Sequence, residues 1–410
     1  MMTNEITIDV QGFKKVLDMV KSVIPARTAL PVMKCVRLDW DRETDEFTLT
    51  GSNGDQYLMV RCEAMDSDTG EMTECVHMFQ EDRKEKWHAV CMDWQSLRDL
   101  FGVLPAARRC KVTFTEKADG ARQVTIDYQD GKMTLPYYSD EEYPLPAEME
   151  EKPLCQFAMN TNTLTEPVKE AQKCCASDEL RPVMETVCMD CYMDKMVVVA
   201  SDGHVLYKNV VEVPGYMKQV NFPVTESAVL LLPKQAVTSV VTALGRQGEV
   251  MVTADTQHIR IETDGVVLIT TTVEGHYPNY DSVIPRENPY KVQISRETLK
   301  MALKRVQLAA DGATNLVRMR SDGQAFILEA SSEADSREGK ETVPVQQTDA
   351  FMPEGFKTGV KVSSLLMLLD LLDEDAITFF FSAPDRAFLL KNESAKLQGK
   401  TLLQMPMLAD

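Results

Sequence analysis

The sequence has little of what identifies membrane or secreted proteins. No uninterrupted apolar run reaches the ~18 residues that a transmembrane helix needs. The N-terminal stretch MMTNEITIDVQGF lacks the basic start and long apolar segment of a signal peptide. We therefore expect no membrane association and a cytoplasmic location.

Histidine is scarce, and cysteine is not arranged for metal binding. The chain has 5 histidines and 10 cysteines in 410 residues, and the cysteines are scattered. Cys188 and Cys191 form a CxxC pair, but a structural zinc site usually needs two such pairs. Valine and tyrosine around this pair favour a strand that carries two small apolar side chains. We expect no metal site and no cofactor.

Positive charge is also limited, and catalytic motifs are missing. The formal net charge of −19 argues against nonspecific binding of nucleic acid by the whole surface, although a local basic face remains possible. Neither a nucleophile elbow nor HExxH occurs. The stretch LQGKT resembles the end of a phosphate-binding loop, but Ser394 occupies the position of its first glycine. We therefore expect no phosphate-binding loop.

The stretch SDGH places Asp202 close to His204. Such a pair is compatible with acid–base chemistry, so one alternative is a hydrolase that uses Asp202, His204 and a distant serine or cysteine. Asp and Gly are also typical turn residues. A structural turn is the favoured interpretation.

One pattern occurs three times along the chain. Each copy opens with an alternating strand, a polar capping residue and an amphipathic run, which predict a strand followed by a helix. A pair of strands, a second helix and further strands follow in each copy. The three openings are ITIDVQGFKKVLDMVKSVI, CQFAMNTNTLTEPVKEAQKCCA and YKVQISRETLKMALKRVQLAA.

This pattern predicts an α+β fold of three repeated domains, each with two helices on antiparallel sheet. Proline-rich polar segments separate the copies. The expected domains are 1–150, 151–288 and 289–410, and the first has an extra loop or hairpin near residues 66–88 without a counterpart in the others.

Two further features need a functional explanation. Helical segments near residues 11–27 and 295–305 carry a surplus of basic residues, which favours a shared basic surface for phosphate contacts over ordinary solvated faces. The chain also ends on LLQMPMLAD. An apolar end either fills a core or forms a surface that a partner covers.

The sequence resembles the bacterial DNA sliding clamp, the beta subunit of DNA polymerase III, over nearly its whole length. The resemblance is carried by VVASDGHVLY, VEGHYPNYDSVIP, the terminal MPML and, in the first copy, IPARTALPVM. It implies a DNA clamp fold in which two chains pair head to tail as a ring-forming homodimer around duplex DNA. It also implies a processivity factor without enzymatic activity.

The resemblance implies partners as well. A clamp loader opens the ring, and replicative and repair polymerases bind through a short motif rich in Gln, Leu and Phe. The DGH turn, the YPNY segment and the MPM stretch would form the groove for this motif. The implied groove residues are Met184, Ser201, Gly203, His204, Val205, Leu206, Pro278, Val283, Leu403, Met405, Pro406 and Met407.

Two other sets of residues follow from the basic surface and the resemblance. The expected DNA contacts are Lys15, Arg27, Arg181, Lys234, Lys304 and Arg305. The expected dimer contacts are Lys132, Met133, Leu135 and Leu308, with the strand near residues 337–343.

The chain departs from the family at the rim of the implied groove. Val205 and Ser282 stand where the family often has basic residues, and Leu408, Ala409 and Asp410 replace a basic and apolar ending. These differences leave open a clamp paralogue with an altered set of partners.

Overall fold

The structure of the chain is a computed structural model. It describes residues 2–41, 46–65, 72–74, 76–79, 89–106, 108–128, 130–178, 180–213, 219–220, 227–245, 248–347, 352–353, 355–392 and 399–407. The chain divides into two compact units. Unit 1 comprises Met1–Asn162, Tyr216–Asn221 and Gln235–Thr272, and unit 2 comprises Thr163–Gly215, Phe222–Lys234 and Val273–Asp410.

The described residues form six α-helices and a larger number of antiparallel strands. The helices are α1 Val10–Val20, α2 Trp94–Val103, α3 Thr161–Gln172, α4 Lys234–Leu244, α5 Arg296–Val306 and α6 Val362–Leu369. The strands of the first repeat are β1 Met2–Asp9, β2 Cys35–Asp41, β3 Glu46–Ser52, β4 Gln56–Arg61, β5 Glu63–Met65, β6 Met72–Glu74, β7 Val76–Phe79, β8 Ala89–Asp93, β9 Arg109–Glu116, β10 Arg122–Asp127 and β11 Lys132–Pro136.

The remaining strands belong to the second and third repeats. Those of the second are β12 Cys155–Asn160, β13 Thr186–Cys191, β14 Lys195–Ser201, β15 Val205–Glu212, β16 Gln219–Val220, β17 Ala228–Pro233, β18 Glu249–Ala254, β19 His258–Thr263 and β20 Val266–Thr271. Those of the third are β21 Tyr290–Ser295, β22 Leu316–Ser321, β23 Ala325–Ser332, β24 Arg337–Pro344, β25 Gln346–Gln347, β26 Lys357–Lys361, β27 Ala376–Phe381, β28 Phe388–Asn392 and β29 Lys400–Gln404.

The predicted strand–helix openings are confirmed as β1–α1, β12–α3 and β21–α5. Side chains cap two of these helices as their sequences predict: Asp9 accepts a hydrogen bond from the Gly12 amide (2.7 Å), and Ser295 accepts one from Thr298 (3.2 Å). The apolar stripes of α1 and α5 are buried. Local capping and burial of one face therefore explain where these helices begin and how they pack.

Unit 1 contains a nine-stranded and a five-stranded sheet. Their strand orders are β16-β12-β18-β19-β20-β4-β3-β2-β8 and β11-β10-β9-β1-β7, and β5 pairs with β6 in a small hairpin. The larger sheet joins strands of the first and second repeats, because β20 pairs with β4 from Val266–Val60 to Thr270–Gln56.

Unit 2 repeats this plan with other strands. Its nine-stranded sheet has the order β17-β13-β14-β15-β29-β28-β27-β21-β25, and its four-stranded sheet has the order β24-β23-β22-β26. Here the second and third repeats are joined by pairing of β15 with β29, from Val205–Gln404 to Asn209–Lys400. The predicted α+β fold with two helices in each repeat is confirmed.

Two local predictions can be followed in these sheets. The CxxC stretch is strand β13, as predicted, and both Cys188 and Cys191 are buried in it. Burial raises the pKa of the Cys188 thiol far above its usual value, and the Asp190 carboxylate adds to this effect. LQGKT ends in strand β29, and the side chain of its lysine, Lys400, is buried there. This lysine therefore belongs to the sheet and does not follow a loop into a helix.

The division into three domains at residues 150 and 288 stays a prediction, since each nine-stranded sheet combines strands of two repeats. Of the extra segment near 66–88, strands β6 and β7 are described and β7 pairs with β1. Residues 66–71, 75 and 80–88 lie outside the described residues. Among the helices of the described part, none has the length and apolar character to cross a membrane.

Candidate peptide-binding groove and charged surfaces

The base of the candidate groove is the paired strands β15 and β29 of unit 2. Leu206 lies opposite Leu403, and Val205 lies opposite Gln404. The Met405 amide donates a hydrogen bond to the His204 carbonyl at 2.7 Å. The pairing therefore brings the DGH turn and the MPM segment side by side, although about 200 residues separate them in the sequence.

The DGH turn is held by its own side chains. One carboxylate oxygen of Asp202 accepts hydrogen bonds from the amides of His204 (2.7 Å) and Val205 (2.8 Å). The Ser201 hydroxyl accepts one from Gly203 at 3.1 Å and donates to the Val205 carbonyl at 2.7 Å. Gly203 has φ +91°, a conformation that glycine adopts without strain. The predicted structural turn is confirmed in geometry.

A segment that we call the strap, residues 273–285, covers the outer face of this sheet. Its Tyr277, Tyr280 and Ile284 pack against a buried cluster that contains Leu206 and Leu403. The Tyr280 hydroxyl donates a hydrogen bond to Asp190 at 2.8 Å, and burial together with this carboxylate raises the Tyr280 pKa. The strap is therefore anchored to the sheet through both apolar packing and a partly buried hydrogen bond.

The strap also approaches the turn that precedes β13. Gly275 has φ +132°, and a Cβ atom built there would lie 2.7 Å from Cγ1 of Val183. A larger residue at this position would force the strap or the Val183 side chain to shift and would be strained at this φ. Met184, the neighbour of Val183, is buried.

Apolar side chains remain exposed along the edge between strap and strands. Val283 is 52% exposed, and Met405 is 39% exposed, while Pro278 and His204 are also exposed. By contrast, Val205, Leu206 and Leu403 are buried. The arrangement is a buried apolar floor with a partly exposed apolar rim, which is typical of a surface that another molecule covers.

The predicted groove residues therefore fall into two groups. Strand pairing joins residues 205–206 directly to residues 403–404, and the hydrogen bond between Met405 and His204 extends this contact into the DGH turn. Pro278 and Val283 lie on the strap. The backbone of Met407 forms an isolated β-bridge to Gly359 of β26, so this residue is held against a different strand from Met405. Leu408, Ala409 and Asp410 lie outside the described residues.

Sequence reasoning missed several residues that build this region. Val183, Tyr280, Ile284 and Leu389 all pack on the cluster under the strap. The aromatic pair in YPNY and the apolar run in AFLLKN were the available signals. Pairing of Leu389 with Leu403 across β28 and β29 could not be read from either stretch alone.

The residues predicted to contact DNA differ in exposure and in whether their side chains already bind other groups of the protein. Lys15 on α1 and Arg27 after it are exposed in unit 1, and Lys304 on α5 is exposed in unit 2. Lys234 is half-buried and donates to Ser177 at 2.8 Å and to the Ala176 carbonyl at 3.2 Å. Arg305 forms two hydrogen bonds to Glu341 of β24, at 2.8 and 2.9 Å.

Arg181 lies beside the DGH turn. It forms an ion pair with Asp178 at 2.9 Å, and this hydrogen bond holds the Asp178 pKa below its usual value. Its Nη1 would lie 3.4 Å from a Cβ atom built on Gly203. Its position adds a basic group close to the groove.

The predicted dimer residues lie on terminal strands of sheets. In unit 1, β11 is the last strand of the five-stranded sheet, with Lys132 and Met133 exposed and Leu135 half-buried. In unit 2, β24 is the last strand of the four-stranded sheet.

Leu308 lies next to β24. It is 72% exposed, and its carbonyl accepts a hydrogen bond from Arg337 at 3.1 Å. A Cβ atom built on Gly339 of β24 would lie 2.9 Å from Cβ of Ala309. Leu308 and β24 therefore form one surface.

The alternative of acid–base chemistry finds little support in the geometry. Both backbone hydrogen bonds of the Asp202 side chain stabilise the turn, and the described groove has no cysteine or serine placed as a partner for His204 by a hydrogen bond. Within the part of the chain that the structure describes, His, Cys, Asp and Glu form no cluster suited to a metal ion.

Comparisons with known proteins give one result. The sequence model for the central domain of the DNA polymerase III beta subunit matches residues 158–279, and that for its C-terminal domain matches residues 281–407. A beta sliding clamp of Synechococcus elongatus is 25% identical over 80% of this chain and 81% of its own length. One from Pseudomonas aeruginosa is 21% identical over 98% of this chain and 99% of its own.

Solved structures agree. The DnaN sliding clamp of Pseudomonas aeruginosa bound to griselimycin superposes with a TM-score of 0.83 at 19% identity, covering 100% of both chains. The sliding clamp of Bacillus subtilis gives a TM-score of 0.84 at 17% identity, again covering 100% of both.

The two family matches together span more than half of the chain, and the fold agrees with solved clamps along its whole length. Members of this family are processivity factors of DNA polymerase and not enzymes. The chain belongs to the DNA polymerase III beta subunit family, the bacterial sliding clamps.

Proposed function

We propose that two copies of this chain close head to tail around duplex DNA and hold polymerases there through the groove between β15, β29 and the strap. As a beta subunit, the chain is a DNA polymerase processivity factor. The observation that carries the groove assignment is the hydrogen bond between the Met405 amide and the His204 carbonyl. It joins the two most distant parts of the implied site.

The proposed groove ligand is a short peptide with Gln, Leu and Phe side chains. The rim offers Met405 and Val283 as partly exposed apolar contacts. Methionine suits such a site because its flexible thioether repacks around different ligands. Two Leu or Phe anchors, each gaining ~1.5–3 kcal/mol on full burial, supply about 3–6 kcal/mol, so micromolar binding at about −8 kcal/mol also needs contacts from the Gln side chain and the peptide backbone.

Terminal strands support the proposed dimer. β11 and β24 each pair on one side within their sheets, and terminal strands present backbone groups that another strand can satisfy. Leu308 adds an exposed apolar side chain beside β24. We propose that β11 of one copy meets β24 and Leu308 of the other, with Lys132, Met133 and Leu135 in the contact.

For DNA, we propose nonspecific phosphate contacts by exposed basic residues. Lys15, Arg27 and Lys304 are the best placed of the predicted set, because their side chains are exposed. Arg305, Lys234 and Arg181 are engaged by other groups, and we propose for them a smaller share. We also propose that a clamp loader opens the ring. The proposed location is the cytoplasm, where bacterial DNA is replicated.

An altered partner set remains a second proposal for the same site. Val205, one of the two positions that lack the family's basic residue, is buried in the groove floor, and the Ser282 hydroxyl donates to the Asn279 carbonyl at 2.6 Å. Arg181 could supply positive charge near this rim. Partners that rely on charge at position 205 or 282 would then bind weakly.

Met405→Ala should weaken binding of a labelled Gln-Leu-Phe peptide by about tenfold, because one apolar rim contact worth ~1.4 kcal/mol is lost. Fluorescence anisotropy measures this. Met193→Ala is the matched control, since Met193 is 40% exposed in the turn between β13 and β14. Equal affinities for the two variants would remove the groove assignment.

The Asp202 turn separates a binding role from acid–base chemistry. Asp202→Asn keeps the accepting oxygen and should leave peptide binding within about twofold of wild type, whereas Asp202→Ala loses two hydrogen bonds worth ~0.5–1.5 kcal/mol each and should weaken it. The same anisotropy assay applies. Loss of binding in Asp202→Asn alone would show that the carboxylate charge, and not the turn, matters.

Leu308→Asp should convert the dimer to monomers, because it places a carboxylate in an apolar contact. Native mass measurement at micromolar protein reports the oligomeric state. Leu145→Asp, at another exposed leucine, should remain dimeric. A monomeric wild type under these conditions would contradict the dimer proposal.

Lys15→Ala combined with Arg27→Ala should weaken DNA binding and lower the slope of log K against log salt by up to about 0.9 for each lost phosphate contact. Titration with duplex oligonucleotides at several salt concentrations gives the slope. Lys117→Ala, at an exposed lysine in the turn between β9 and β10, is the control. A strong preference for one DNA sequence would contradict nonspecific contacts.

A further inference from the structure

A second concave site adjoins the candidate groove. It has a volume of about 690 Å³ and lies between the C-terminal part of the strap and strands β15, β21, β27, β28 and β29. Its charged lining consists of four basic side chains, Lys208, Arg286, Lys291 and Lys391, and one carboxylate, Asp281. We call it the basic pocket.

Strand register places this pocket on the same face of the sheet as the groove. Leu403 of β29 pairs with Leu206 of β15 on one side and with Leu389 of β28 on the other. Lys208 and Lys391 follow Leu206 and Leu389 by two residues in the sequence. Residues two apart share a face of a strand, so the apolar row continues directly into a basic row.

The lysines lie over aromatic rings. The Lys391 ammonium lies 5.7 Å from the centre of the Phe380 ring, and the Lys208 ammonium lies 5.1 Å from that of Tyr280. Lys208 also pairs with Asp281 at 2.5 Å, but the Asp281 side chain is 57% exposed. The Lys208 side chain is only 20% exposed and Asp281 is the more exposed partner, so a carboxylate of a ligand could replace Asp281 beside Lys208.

We propose that the basic pocket binds acidic residues that flank the apolar anchors of a partner peptide. This inference rests on the proposed groove function. The pocket is continuous with the groove through the Leu206–Leu403–Leu389 row, and its charge is opposite to that of a chain with net charge −19. An acidic flank would be repelled by most of this protein and attracted here, which makes the pocket a determinant of partner choice.

An acidic peptide fits the position better than DNA does. The pocket lies between the strap and a sheet face, whereas the exposed basic residues proposed for DNA lie on helices α1 and α5 and in the loop that follows α1. The strap residue Val283, at the groove rim, is also followed directly by Ile284, which lines the pocket. A single extended peptide could therefore reach both.

The test compares three labelled peptides on the full chain by fluorescence anisotropy. They are the Gln-Leu-Phe core alone, the core with three added Glu residues, and the core with three added Gln residues, each extension made at either end. At one of the two ends, the peptide with the Glu extension should bind about fivefold more tightly than the peptide with the Gln extension at low salt. The gain should vanish near 1 M salt, where the Debye length is about 3 Å.

Charge reversals locate the effect. Lys391→Glu and Arg286→Glu should each remove the gain from the Glu extension and leave binding of the core peptide unchanged. Lys117→Glu, far from the pocket in sequence and in the other unit, should keep the gain. Unchanged core binding also shows that each variant is folded.

The outcomes separate this inference from the groove proposal. If the core peptide does not bind at all, the groove proposal is wrong. If the core binds but Glu and Gln extensions behave alike at both ends, the groove stands and the basic pocket inference is overturned. If duplex DNA displaces the Glu extension and both pocket variants weaken DNA binding, the occupant is nucleic acid and the inference is also overturned.

Discussion

Pairing of strands β15 and β29 is the interaction on which the functional part of unit 2 depends. It joins the second and third repeats into one sheet, sets the DGH turn beside the MPM segment and places Leu403 under the strap. Without this pairing, the strand that carries Leu403 would be missing from the floor of the groove. The apolar C-terminal stretch therefore has two roles along its length, with Leu402 and Leu403 buried and Met405 partly exposed.

The register of this pairing has its own support. Both faces of β29 are covered, so alternation of apolar residues alone would not prevent a slip. Lys400 is buried and donates to Glu170 and to the Leu371 carbonyl, each at 2.9 Å, while Glu170 also accepts from the Tyr207 hydroxyl at 2.7 Å. A shift by one residue would leave the Lys400 charge buried without these partners, which is costly. A polar network thus specifies the position of an apolar strand.

The repeats, the helices and the DGH turn could be predicted because their signals are local. Capping at Asp9 and Ser295, the apolar stripes of α1 and α5 and the Asp–Gly turn all depend on neighbours in the sequence. The continuous sheets could not be predicted from the sequence, because the pairing of β20 with β4 and of β15 with β29 depends on the register between distant strands. For the same reason, two contacts between distant residues could not be predicted: the hydrogen bond between Arg305 and Glu341, and the position of Arg181 beside Gly203.

The central claim is that the chain holds DNA by encircling it. The most direct measurement loads the protein on nicked circular DNA with a clamp loader and ATP, separates the complex from free protein by gel filtration, and then cuts half of the sample with a restriction enzyme. A closed ring predicts that the protein stays with the circle at high salt and is lost from the linear DNA. Equal retention on circular and linear DNA, or equal loss from both, would contradict the account.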